Sequence, residues 1–139
     1  MPGADTSPDP AQLQRWWQEH SELDGRVEEL VAAITDQNVS GARAALEELS
    51  LAMEAHLSVE EDVYFPLVEA LSHAHASSLR QARLAHIEVR ANLDVIRERL
   101  SQAELAAARG VLRTLLDRFR THEQLEAQLI TDLQAAPRT

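Results

Sequence analysis

The chain of 139 residues contains no cysteine, which excludes disulfides, thiolate nucleophiles, iron–sulfur clusters and cysteine-ligated zinc. It also lacks any uncharged apolar run near the roughly 18 residues of a membrane span. The opening MPGADTSPDP has neither the basic nor the apolar region of a signal peptide. Positive charge is scarce: 13 basic residues, all arginine, face 23 acidic ones, and the net charge of −10 argues against nucleic-acid or anionic-membrane partners. These absences predict a soluble, cytoplasmic protein in which any metal chemistry runs on His, Asp and Glu. Aromatic residues are few, two Trp, one Tyr and two Phe, and against them six histidines stand out.

The length and the 45% hydrophobic content suit one domain with one core. Three prolines and no apolar period in the first ten residues predict a disordered arm over 1–9, with Asp9 as N-cap and Pro10 opening a first helix. Its stripe is Leu13, Trp16, Leu23, Val27, Leu30, Val31 and Ile34, with His20 where an apolar residue belongs. After the turn signals of 36–41, a second stripe, Ala42, Ala45, Leu46, Leu49, Met53 and Val63, is broken by His56 and Glu60, and Pro66 should kink or end this helix. The run 72–77 reads as a connection to a third helix starting near Ser77 or Ser78. Its stripe, Leu79, Ala82, Val89, Leu93, Ile96 and Leu100, is broken by His86. Ser101-Gln102-Ala103-Glu104 has the form of a capping box opening a fourth helix. There Leu105, Ala108, Leu112, Leu115, Phe119, Leu129 and Leu133 are broken by His122 and Glu126. The predicted fold is all-α, an antiparallel up-down-up-down four-helix bundle over 10–135 with a tail at 136–139.

Four histidines scattered at random would all fall on such stripes with odds of roughly 3 in 100. His20 lies 14 residues before Ile34 and His56 lies 16 after Ser40, a height difference of about 3 Å at 1.5 Å per residue, so their rings can meet. Glu60 and Glu126 each follow a histidine by one turn and share its face. Burying two carboxylates without partners costs several kcal/mol each, and two metal ions bridged by the carboxylates and terminally ligated by the imidazoles would compensate. Imidazole and carboxylate suit iron, manganese or zinc.

With His20, His56-Leu-Ser-Val-Glu60 followed by Glu61 and Tyr64-Phe65-Pro66, His86, and His122-Glu-Gln-Leu-Glu126 in this order, the chain resembles the hemerythrin-like (HHE cation-binding) proteins over about residues 11–134. The resemblance implies a non-haem di-iron centre, two carboxylate-bridged irons with an oxo, hydroxo or water bridge. It places His20 and His56 on one iron, His86 and His122 on the other, and Glu60 and Glu126 between them. The chain departs from the oxygen carriers of that family. Arg90 stands where their HxxxH motif has its second histidine, and HxxxE replaces their HxxxxD. One ligand fewer leaves a position open on each iron, which favours reaction with peroxide, a catalase-like decomposition, over reversible carriage. The implied partners are O2, H2O2 or NO, and the expected state is a monomer or weak homodimer. Two alternatives stay open: a module that binds O2, NO or iron for sensing or storage without turnover, and a metal-free helical interaction domain.

The remaining residues of interest carry smaller expectations. Tyr64, one turn past Glu60, could hydrogen-bond a ligand or donate a proton. Arg90 cannot ligate and either pairs with a carboxylate near the site or reaches solvent. Glu61 and Glu123 should be solvated, with Glu61 the best spare ligand. Trp16 should wall the site from water, Trp17 should be exposed or at a subunit contact, and His73 and His75 should lie in an exposed loop. Glu-x-x-His, the ferritin-like signature, occurs nowhere, and His122-Glu123 fails as HExxH because position 126 is Glu.

Overall fold

The computed structural model describes residues 10–71 and 73–135. The arm at 1–9, the cap Asp9 and the tail at 136–139 lie outside the described residues. The order is α1 (Pro10–Thr35), α2 (Val39–Val59), a π-helical turn (Glu60–Tyr64), α3 (Phe65–Leu71), a 3₁₀ turn (His73–His75), α4 (Ala76–Ser101) and α5 (Leu105–Ala135). With α2, the π turn and α3 forming one run, these are four long helices, and no strand occurs among the described residues.

Most members of the predicted stripes are buried in the core, Leu105 packs half-buried against it, and the side chains of Leu13 and Leu133 lie outside the described residues. Leu23, Leu30, Leu46, Leu49, Met53, Ile96, Leu100, Leu112 and Leu115 join one large apolar cluster contributed by all four helices. Two small clusters lie apart from it: Phe65, Val68, Leu79, Ala82 and Leu129, and Trp16, Tyr64 and Ile130. Two stripe members are corrected. Val31 is 40% exposed, being at the edge of the face that Leu30 and Ile34 bury. Val63 is only half-buried, while Tyr64, Phe65 and Val68 are buried. The cause is the π turn.

Proline at 66 has no N–H, and its ring conflicts with the carbonyl four residues back. The helix neither ends nor simply kinks there. It widens by one residue, with the Phe65 N–H bonded to the Glu60 carbonyl, and one extra residue turns the following face by about 100°. The buried stripe therefore passes from Glu60 to Tyr64 and Phe65.

Two helix ends close with residues in left-handed backbone. Gln37 (φ 55°) and Ala103 (φ 58°) each sit in a Schellman arrangement: Asn38 N–H bonds Ala33 C=O and Gln37 N–H bonds Ile34 C=O, and Glu104 N–H bonds Arg99 C=O while Ala103 N–H bonds Leu100 C=O. The expected capping box is thus absent. Ser101 is the last residue of α4 and its hydroxyl donates to the Glu98 carbonyl at 2.6 Å. Asn38 caps α2 by accepting from the Gly41 N–H at 2.9 Å. A Cβ at Gly41 would meet the Asn38 amide, so any larger residue there would push the capping side chain aside. Helix α4 begins at Ala76, a residue earlier than expected, after a 3₁₀ turn in which His73 is exposed and His75 half-buried.

Surface ion pairs tie the helices side by side. Arg26 meets Glu48, Arg97 meets Glu47, Arg90 meets Glu54 and Arg118 meets Glu88. Arg43 donates to the Leu100 and Ser101 carbonyls at 2.9 and 3.0 Å, satisfying acceptors at the end of α4.

Candidate metal centre

A polar layer lies among the apolar clusters, built from the interruptions of the stripes. His20 on α1, His56 on α2, Glu60 at the start of the π turn, His86 on α4, and His122 and Glu126 on α5 are all buried, none more than 5% exposed. They fall into two overlapping groups whose candidate ligand atoms lie within 4.8 Å of one another: His20, His56, Glu60 and Glu126, and Glu60, His86, His122 and Glu126. Both carboxylates belong to both groups.

The contacts explain how. His56 Nε2 is 3.1 Å from Glu60 Oε1, and His122 Nε2 is 3.0 Å from Glu126 Oε2, each pair one helical turn apart. His86 Nε2 lies 3.5 Å from both Glu60 Oε1 and Glu126 Oε2 and 2.9 Å from His122 Nε2. The His20 and His56 rings meet edge to face at 4.5 Å, and those of His86 and His122 at 4.6 Å.

Around this layer, two further carboxylates orient two of the imidazoles. Glu19 Oε2 accepts from His56 Nδ1 at 2.9 Å, and Glu61 Oε2 accepts from His86 Nδ1 at 2.8 Å. A carboxylate can only accept, so each Nδ1 carries the hydrogen and each Nε2 lone pair turns inward. Arg90 stands one turn past His86 and grips Glu61 at 3.0 Å and Glu54 at 2.8 Å. Of the two expectations for Arg90, pairing with a carboxylate beside the layer is the one found. Glu61 is not a solvated charge; the π turn puts it half-buried on His86 Nδ1, outside both groups of candidate ligand atoms. Glu19 was not singled out from the sequence, although it sits level with His56 by the same height count that matched His20 to it.

Aromatic residues close the layer. Trp16 Nε1–H donates to Glu60 Oε2 at 3.1 Å, and its ring meets His20 edge on at 3.8 Å. Phe65 stacks on His86 at 5.1 Å, and Phe119 lies 6.4 and 6.3 Å from His20 and His122. Tyr64 packs with Trp16 and Ile130, and burial followed by the Glu19 charge pushes its hydroxyl above the usual phenol range. Trp17 is 56% exposed, as expected.

Burial and neighbouring charge shift the groups of the layer in opposite directions. Burial, reinforced by His56, lowers His20 to about 4, and burial likewise lowers His122 to about 4. For His56 burial works the other way from the net result, since Glu60 and Glu19 raise it. Burial and the Glu60 charge hold Glu126 well above the carboxylate range, whereas the close approach of Glu126, His56 and His86 outweighs burial and pulls Glu60 well below it. Glu123 was expected to be solvated but is half-buried, and burial together with Asp24 pushes it to about 7.

Whether these residues fit a metal can be tested on their own hydrogen bonding. His20 Nε2, His56 Nε2, Glu60 Oε1 and both carboxylate oxygens of Glu126 are buried and have no hydrogen-bond partner. Buried polar atoms are nearly always satisfied. Here five of them, all nitrogen or oxygen donors suited to a borderline or hard cation, converge within one layer, and a bound cation would satisfy them together. The donor set fits.

The fold and the layer together define a class, a helical domain whose buried His and Glu side chains could hold metal ions. The chain belongs to the hemerythrin HHE cation binding domain family, whose model matches residues 11–133. No curated protein and no solved structure matches the chain.

Proposed function

We propose that His20, His56, Glu60, His86, His122 and Glu126 hold two iron ions, and that this centre decomposes hydrogen peroxide in a catalase-like reaction. The observation that carries the reading is the sharing of Glu60 and Glu126 by two ligand groups, since a bridging carboxylate serves two ions at once. We also infer an antiparallel up-down-up-down bundle, because partners across each helix pair run in opposite numerical order: His20 with His56 and Arg26 with Glu48, Arg43 with Leu100 and Arg90 with Glu54, His86 with His122 and Arg99 with Glu104.

When bound, an iron pair would supply Lewis acidity and electrons to a small oxygen species. The protein side of the chemistry is positioning. Glu19 and Glu61 fix the His56 and His86 tautomers so that both Nε2 lone pairs face inward. Two imidazoles and two carboxylate oxygens for each ion would leave room for a small ligand. Trp16, Phe65 and Phe119 exclude bulk water. Tyr64, whose hydroxyl is pushed up by burial and by the charges of Glu19 and Glu60, keeps its proton and can donate it beside the layer, while Arg90 keeps Glu61 anionic and in place.

A second reading is a binding or sensing module. The complete burial of all six ligands favours slow, stoichiometric capture over turnover. Metal analysis after iron-replete expression, followed by mixing with peroxide at many equivalents, decides. About two irons per chain with continuing release of dioxygen supports the proposed activity, and a single stoichiometric event supports the module. Fewer than about one metal per chain would overturn both and favour a metal-free interaction domain.

A further inference from the structure

Trp16 and Trp17 are consecutive in sequence and opposite in environment. Trp16 is 1% exposed and Trp17 is 56% exposed, yet their rings touch edge to face with centroids 4.6 Å apart. Trp16 is in turn joined to the metal layer twice, through its N–H on Glu60 and through its ring on His20 at 3.8 Å. A continuous line of contact therefore runs from a carboxylate common to both ligand groups, through two indoles, to solvent.

We propose that this line is an electron path, and that it gives the centre a peroxidase activity toward small aromatic amines at the surface. The proposal rests on the reading of the layer as a redox-active iron site. Indole gives up one electron more readily than phenyl or aliphatic groups, and electron transfer falls off steeply with distance, so rings in contact are the favoured route. No cysteine competes for the oxidising equivalent. Tyr64 also adjoins Trp16, but it is only 5% exposed and cannot meet a donor in solution. Glu60 accepts the Trp16 N–H, which stabilises positive charge passing through that ring. The net charge of −10 selects neutral or cationic donors over anionic ones.

The electrons balance as follows. Each of two amine molecules gives one electron to the Trp17 ring, which has passed one inward through Trp16. Hydrogen peroxide takes the two electrons and two protons from solvent; its O–O bond breaks, two O–H bonds form, and two waters leave. The amine is released as its radical cation.

Trp17→Phe tests the path with every His and Glu of the layer left in place, since Trp17 is 56% exposed and its ring stands 6.2 Å from His20, outside the 3.8 Å contact that Trp16 makes. With iron-loaded protein, peroxide and tetramethyl-p-phenylenediamine, the variant should oxidise the amine about tenfold more slowly than the parent, while dioxygen release without amine is unchanged. In the parent treated with peroxide alone, peptide mass spectrometry should find added oxygen on Trp17, and zinc-loaded protein should show none. Amine oxidation at the parental rate in the variant, or an unmodified Trp17 in the parent, overturns the path even if dioxygen release persists. A parent that neither releases dioxygen nor oxidises the amine overturns the peroxide reading and the path with it.

Discussion

The two ligand groups share their carboxylates and differ in what stands behind their histidines. In each group one imidazole is tied through Nδ1 to an outer carboxylate, His56 to Glu19 and His86 to Glu61. Glu61 is itself gripped by Arg90, which also holds Glu54, so α4 and the α2 run are clamped beside His86. No arginine lies within ion-pair distance of Glu19 among the described residues, and His56 is its ion-pair partner. The walls differ too, with the Trp16 indole edge-on against His20 and a phenyl stacked on His86. The shared carboxylates therefore join two unequal halves, one clamped by a planar guanidinium fork and one held by a single carboxylate.

The largest expected effect erases the difference by removing both halves. Chelation should lower the melting temperature by about 10 °C or more, because metal bound only by the folded chain stabilises it by mass action. Glu60→Ala, which takes a ligand from both groups, should reduce bound metal to below about one ion per chain. Calorimetry and metal analysis check both outcomes, and unchanged melting after verified stripping would refute the link between metal and fold.

A smaller effect separates the halves. Glu61→Ala and Glu19→Ala should each weaken metal binding by about 10- to 100-fold, with Glu61→Ala the more severe. Arg90→Met keeps the stem and removes the fork, so it should weaken only the His86–His122 half, by roughly 10-fold. Cobalt titration followed by absorption resolves two binding steps. Equal losses from Glu61→Ala and Glu19→Ala, or no change from Arg90→Met, would break the asymmetry.

What the sequence disclosed follows from the same contrast between stripe and flank. All six inner residues were legible because each is a polar break in an apolar period, and burial of a polar break demands a reason. Glu19 was not, because it sits one position off the stripe, where acidic residues usually meet water. Glu61 departs from the solvated position its spacing predicts for a different reason: the π turn at Glu60–Tyr64 re-aims it, and a period of 3.6 residues per turn does not contain an extra residue. The same turn explains why the regular period points to Val63 where the core takes Tyr64 and Phe65. At the loop before α5, Ser101 and Glu104 matched a capping box in letters. Backbone bonds to Arg99 and Leu100 claimed those positions first, through a left-handed alanine that no residue preference would suggest.

Glu123 lies next to His122 and in the field of Asp24 on α1, so it reports on the metal-free layer from the side. Its folded value of about 7 stands above the reference 4.5. A carboxyl raised in this way contributes stability below about 4.5 and loses it as pH rises through about 7. Glu123→Gln should therefore stabilise the stripped protein at pH 8 by about 1 kcal/mol, allowing for its partial exposure, and leave it unchanged at pH 4.5. Denaturant melts at the two pH values give the test. A gain of the same size at both would mean that packing, rather than charge, governs this position.

The smallest effect isolates the site from the rest of the bundle. Ala103 is exposed and holds φ at 58°, a conformation that costs an L-residue roughly 1–2 kcal/mol and glycine almost nothing. Glycine loses part of that advantage through the entropy of the unfolded chain, so Ala103→Gly should stabilise by about 0.5–1 kcal/mol, some 2–4 °C in melting temperature. Because the Schellman turn lies at the end of α4, beside the large apolar cluster and away from the His and Glu layer, both metal-binding steps should stay where they are. A shift in either step would mean that the register of α4 is transmitted from its C-terminus to His86, and the inequality of the two halves would then belong to the whole helix rather than to the Arg90 clamp.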